Sequence, residues 1–159
     1  MDQVLDRRKE EEHSDFKFIS DSMIDIYDSI MRIEESEIRK SRFKDVTAKE
    51  LHLIHAIGLH AHKTTSEVAN YLKLSKGTLT ANINTLERKG YVKRVPNQVD
   101  RRIINLELTD KGRILFRAHS AFHSALVKSV LDGFSDDNVE IIEQVLKRLL
   151  GFIDEVSDK

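Results

Sequence analysis

Cysteine and tryptophan are absent from the 159 residues; there is one proline, there are six glycines, and aromatics make up 6%. Without thiols there can be no disulfide, no thiolate metal site and no cysteine nucleophile, which fits a reducing cytoplasm. No apolar run approaches the ~20 residues that span a bilayer. Met1–Glu12 is a charged tract with no apolar stretch behind it, unlike a secretory leader. The expected place of action is therefore the cytoplasm, with no membrane partner. So little proline and glycine leaves few sites for long irregular chain, and the expected class is mainly α. Enzyme signatures are missing too. No G-x-S-x-G or H-E-x-x-H occurs, and Gly77 and Gly90 stand alone rather than in a phosphate loop. Glu34 and Glu35 are adjacent, so they diverge around a helix instead of converging on a substrate. An enzyme is not expected.

Charge is abundant and unevenly placed. The net is −1, yet residues 46–113 carry 12 Lys/Arg against 6 Asp/Glu, while residues 1–45 and 114–159 are both acidic on balance. A basic middle between acidic flanks is the footprint of one module that meets a polyanion. Solvated surface charge clustered by chance would look the same at this level.

Hydrophobic spacing supplies the elements. Phe16, Ile19, Met23, Ile26, Ile30 and Ile33 recur at helical intervals, and Ile24, Tyr27, Met31 and Ile38 form a second set off that stripe. A helix apolar on two sides needs cover on two sides, which a second subunit can give. Thr47-Ala48-Lys49-Glu50 and Thr64-Thr65-Ser66-Glu67 both read as capping boxes opening short helices. Ser75 is a good N-cap for a helix to Lys89, with Leu79, Ile83 and Leu86 on its inner face and Gly90 closing it. Two short helices in succession make a helix-turn-helix candidate. Tyr91–Val95 and Ile103–Leu108 then read as a strand pair around a polar turn, with Ile104, Leu106 and Leu108 on one face and Asn105 and Glu107 on the other. Thr109 caps a long helix to about Asp132. Gly133 breaks it, and Ser135-Asp136-Asp137 caps a last helix striped by Val139, Ile142, Val145 or Leu146, Leu149, Ile153 and Val156.

The expected architecture is mainly α with a small two-stranded wing. Residues 1–13 are a charged extension expected to lack fixed structure. Residues 14–46 are the N-terminal helix of a dimerisation layer, 47–108 a winged helix-turn-helix, and 109–159 the C-terminal dimerisation helices. A monomer whose long helices fold back on the core is the alternative.

The helix Ser75–Lys89 leaves Lys76, Thr78, Thr80, Ala81 and Asn84 outward. Lys76 suits guanine or phosphate, Asn84 suits a bidentate contact to adenine, and the small methyl groups suit thymine. An ordinary polar helix face has the same composition. Asp100-Arg101-Arg102 at the wing tip suits the narrow, negative minor groove, with Asp100 able to orient one arginine. Arg88 and Arg94 add positive charge beside the helix and the wing. Thr64, Thr65, Ser66 and Ser75 offer hydroxyls and helix N-termini to phosphates.

These residues resemble the MarR family of winged-helix repressors. Asp100-Arg101-Arg102 through Leu108-Thr109-Asp110-Lys111-Gly112 fits the family's wing pattern D-x-R-x5-L-T-x2-G. Leu86-Glu87-Arg88-Lys89-Gly90-Tyr91-Val92 resembles the junction before it. The order of elements matches over about residues 14–156. The resemblance implies an intertwined homodimer on a pseudo-palindromic double-stranded DNA operator. Ile33-Glu34-Glu35, Ser41–Val46, Lys49-Glu50-Leu51-His52 and Arg117–His123 are further similar to the FabT-like branch, whose members repress fatty-acid synthesis genes. That branch implies a long-chain acyl group on acyl carrier protein (acyl-ACP) as corepressor. Ile30, Met31, Phe43, Leu53, Ile57, Phe116 and Phe122 are the candidate lining of an acyl pocket, although each also suits plain core. The charged N-terminal extension departs from that branch.

Seven histidines complete the inventory. His52 with His55, and His119 with His123, have helical spacing, and an i, i+4 pair can share zinc. A repressor responding to zinc or to a small lipophilic compound is thus the alternative. The expectation is no required cofactor and no metal, and a helical interaction module without DNA is the more distant reading.

Overall fold

A computed structural model describes residues 2–60 and 62–157, with side chains from residue 15 onward except at 61. Residue 1 lies outside that description, and residues 2–13, expected to lack fixed structure, are helical in it. Among the described residues, six helices and one strand pair follow in the order α1 (Asp2–Lys40), α2 (Ala48–Ile57), α3 (Thr65–Tyr71), α4 (Lys76–Arg88), β1 (Val92–Pro96), β2 (Ile104–Leu108), α5 (Asp110–Leu131) and α6 (Asp136–Ser157). No described helix is long and apolar enough to cross a membrane. The chain forms two compact units, Met1–Lys49 and Glu50–Lys159.

The first unit is built on α1. Its stripe is that of a helix with little to cover it: Phe16, Ile19, Met23, Ile24, Ile26 and Tyr27 are all exposed. Ser41 stops the helix by donating to the Ile38 carbonyl and accepting from the Phe43 amide. Phe43 and Val46 are buried just beyond, and the Arg42 guanidinium lies 4.9 Å over the Phe43 ring.

The second unit starts from its caps. Thr64 accepts from the Glu67 amide while the Glu67 carboxylate takes the Thr64 amide, a complete capping box. Ser75 accepts from the Thr78 amide at the start of α4. At the other end of α4, Gly90 sits at φ 76° and the Tyr91 amide bonds back to the Leu86 carbonyl, a Schellman closure. The core gathers the inner faces of these short elements. Ile54, Ile57, Val68, Leu79, Ile83, Leu86, Tyr91 and Val92 are buried with Leu106 and Leu108.

The strands pair antiparallel, with Val92 opposite Leu108 and Arg94 opposite Leu106. The alternation of the two faces holds, but burial does not follow it: Asn105 is buried and Ile104 is partly exposed. The cause is a third segment: Thr64 bridges to Asn105, and the Leu106 amide donates to the Lys63 carbonyl. The wing root is thereby covered on its second edge.

The turn into α5 explains the L-T-x2-G spacing. Thr109 accepts from the Gly112 amide and donates its hydroxyl to the Gly90 carbonyl at 2.6 Å. A Cβ at Gly112 would stand 2.2 Å from the Tyr91 carbonyl oxygen. Only glycine lets α5 start this close to the end of α4.

Candidate nucleic-acid interface

α4 and the wing belong to the second unit and carry most of the predicted contact residues. Lys76, Thr78, Thr80, Ala81, Asn84 and Arg88 are exposed along α4, opposite the buried Leu79, Ile83 and Leu86. The hydroxyls already have local bonds. Ser75 Oγ and Thr78 Oγ1 are 2.8 Å apart, Thr80 donates to the Lys76 carbonyl, and Arg88 donates to Thr85. Their remaining lone pairs and methyl groups, with the exposed Lys76 side chain, form a shallow polar ridge that suits a groove.

The wing tip is organised by Asn97, within the polar turn between the strands. Its side-chain oxygen accepts from the Val99 and Asp100 amides, an Asx turn. Asp100 then accepts from the Arg102 amide, and its carboxylate lies 3.7 Å from Arg102 Nε. The Arg102 side chain is 95% exposed. Arg101 is exposed beside it. Asp100 is thus bonded to the Arg102 backbone, and both arginine side chains are exposed.

Thr64, Thr65 and Ser66 open α3. The Thr64 hydroxyl is committed to Glu67 at 2.7 Å, so the group it was expected to offer to phosphate is already used. The Thr64 amide, and after it this hydroxyl, hold the Glu67 carboxyl below its usual value. Lys93 is paired across the strands with Glu107 at 3.1 Å, and His62 reaches the same carboxylate at 3.0 Å. Lys93, and secondarily His62, hold the Glu107 carboxyl below its usual range.

Arg94 departs most from expectation. It donates to Glu87 and, at 2.8 Å, to Asn84 Oδ1. The side-chain oxygen that a bidentate adenine contact needs therefore already has a strong donor. Among the lysines, Lys89 is held by the Glu50 carboxylate at 2.7 Å, and Lys111 stands over the Tyr91 ring at 4.0 Å while donating to the Lys89 carbonyl. These two basic residues brace the fold.

Phe43, Leu53 and Ile57 are buried. Ile30, Met31, Phe116 and Phe122 are half-buried. Phe116 stacks on His55 at 5.1 Å, and Phe122 meets His123 edge-on. The histidines of α2 and α5 come together. His52 and His55 lie 5.7 and 5.2 Å from His119, ring to ring, and the Nε2 atoms of His119 and His123 are 2.9 Å apart. Two imidazole nitrogens that close fit one shared proton or, both unprotonated, one zinc-class ion.

Known proteins resemble this chain along most of its length. The MarR family profile matches residues 44–103. The HTH-type transcriptional regulator PecS of Dickeya dadantii is 31% identical over 84 residues, 53% of this chain and 51% of PecS. The chain thus spans about half the length of that relative. The multiple antibiotic resistance protein MarR of Escherichia coli K12 is 30% identical over 107 residues, 67% of this chain and 74% of that protein. The crystal structure of Streptococcus pneumoniae FabT in complex with DNA superposes with a TM-score of 0.80 at 38% identity, covering 89% of this chain and 99% of that one. These relatives are transcriptional regulators, not enzymes. The chain belongs to the MarR family of winged-helix regulators.

Proposed function

We propose that the protein is a homodimeric DNA-binding repressor acting in the cytoplasm on fatty-acid synthesis genes, with long-chain acyl-ACP as corepressor. The observation that carries this reading is the 38% identity to DNA-bound pneumococcal FabT over 89% of the chain. The polar ridge of α4 and the arginine-tipped wing support the DNA role. The exposed apolar faces of α1 and α6 support the dimer, because a lone chain would leave Ile24, Tyr27, Leu146, Leu150 and Phe152 in water.

In this mechanism each subunit places α4 in a major groove and its wing in the adjacent minor groove. Half-sites recur about every 10 bp on one DNA face, so the corepressor need only favour the dimer whose α4 helices match that spacing. The test is fluorescence anisotropy of a labelled palindrome from a fatty-acid synthesis promoter, titrated with protein. Tighter binding with acyl-ACP than with unloaded carrier is the expected result. Binding indifferent to acyl-ACP would remove the lipid assignment, and no specific binding would remove the repressor.

A second reading, zinc as effector, is favoured by the His52, His55, His119 and His123 cluster. The same titration with Zn2+ in place of acyl-ACP separates the two. A zinc-dependent gain that is lost in His123→Gln would select it.

A further inference from the structure

We propose that Asn84 and Arg94 are positioning residues: together with Glu87 they clamp the wing to α4, and neither one touches DNA. The inference rests on the DNA-binding reading above. Arg94 lies on β1, opposite Leu106. Its backbone amide donates to Glu87 Oε1 at 3.2 Å, its Nη1 donates to Glu87 Oε2, and its Nη2 donates to Asn84 Oδ1 at 2.8 Å. Asn84 and Glu87 are one helical turn apart, so both accept on the same side of α4. One planar guanidinium is thus held by two side chains of the recognition helix while its own backbone is held by one of them. A fork of this kind fixes direction as well as distance.

The chemistry then takes both residues out of the contact set. A guanidinium can only donate, so the oxygen of the Asn84 amide must be the atom that faces it. Reading adenine needs that oxygen and the amide nitrogen at once. Arg94 is neutralised by Glu87, and its side chain is 30% exposed against 95% for Arg102. Base reading is left to the Lys76–Ala81 stretch and to the wing tip.

The experiment uses the full chain and an operator selected with it from random duplex DNA. Failure to select any site would sink the DNA-binding reading itself, separately from the clamp. With an operator in hand, affinities are compared for wild type, Asn84→Ala and Asn84→Asp. Aspartate keeps an acceptor for Arg94 but removes the amide donor and adds negative charge. Positioning predicts that Asn84→Asp binds tighter than Asn84→Ala. A direct contact predicts the reverse, since a carboxylate facing DNA repels it, and that order would overturn the proposal. Arg94→Lys keeps the charge and loses the fork. It is expected to weaken binding about tenfold with the salt dependence unchanged. Wild-type affinity in Arg94→Lys would overturn the clamp. So would a salt slope reduced by about one in Arg94→Met, which would mark a phosphate contact. Melting temperatures of all variants check that the fold is intact.

Discussion

α4 and α6 start from the same sequence signal and end differently. Leu79, Ile83 and Leu86 on α4 are completely buried. α6 is longer, has an apolar stripe at least as regular, and buries none of its residues. Leu146, Leu150 and Ile153 are each about half exposed or more. Spacing specifies which face of a helix is apolar, but what covers that face is decided elsewhere in the chain or in another chain. In the winged core the cover comes from neighbours within sixty residues. α6 keeps its apolar face exposed.

The largest effect is expected where the core allows no adjustment. Gly112→Ala drives a methyl group to 2.2 Å from the Tyr91 carbonyl oxygen. Tyr91 cannot yield, being fully buried and accepting from Thr109 through that oxygen. The cost should reach the upper end of the ~1–3 kcal/mol typical of overpacking, read from urea unfolding. A variant as stable as wild type would show that the junction of α4 with α5 is soft. The matching change on the uncovered helix is Leu146→Asp with Leu150→Asp. It should leave the helical spectrum intact and turn a dimer into a monomer by light scattering. Operator affinity should fall at least about tenfold, because two half-sites are no longer held on one particle. A double variant that stays dimeric would mean that α6 is not the face a second subunit covers.

The same contrast separates what could be read in the sequence from what could not. Local hydrogen bonding is legible, because Thr64 with Glu67, Ser75 ahead of α4, and Thr109 ahead of α5 each act within three residues. The glycine stops at Gly90 and Gly133 follow from positive φ and were placed correctly. The Asp100-Arg101-Arg102 tip was legible as well, since a polar turn between two strands must project. The bridge from Thr64 to Asn105 was not. It is a backbone pairing between residues 64 and 105, and the side chains there carry no mark of it, so the cover over Asn105 is not legible from the alternation. The bond from Arg94 to Asn84 was missed for a related reason. Each residue alone looks like a DNA contact, and only the packing of β1 on α4 turns them toward each other.

Arg102 tests the part of the site that remained free. Its guanidinium is nearly all in solvent, with Asp100 bonded to its backbone amide. Arg102→Ala should weaken operator binding by about 1–3 kcal/mol, leave dimer and fold unchanged, and lower the salt dependence. An unchanged affinity would remove the wing tip from the interface. Compared with Arg94→Lys, it distinguishes an arginine that reaches outward from one that braces.

The smallest effect returns to the core and α6 through acid stability. The Thr64 amide and hydroxyl hold the Glu67 carboxyl below its usual 4.5, and Lys147 does the same for Glu143 on α6. A carboxyl lowered by folding contributes stability above its ordinary pKa and loses that contribution as pH falls through the lowered value. Both should therefore steepen the loss of stability below about pH 4.5. The two carboxylates differ in what is left behind. Glu67→Gln weakens acceptance from the Thr64 amide at the head of α3, which no intrahelical carbonyl serves. Glu143→Gln releases only a solvated lysine one turn away. Added salt at 1 M screens an exposed ion pair and not a backbone cap. Glu67→Gln should thus flatten the acid limb of the stability curve at both low and high salt, and Glu143→Gln only at low salt. Identical salt behaviour in the two variants would mean that the Glu67 cap is as loosely held as a surface pair.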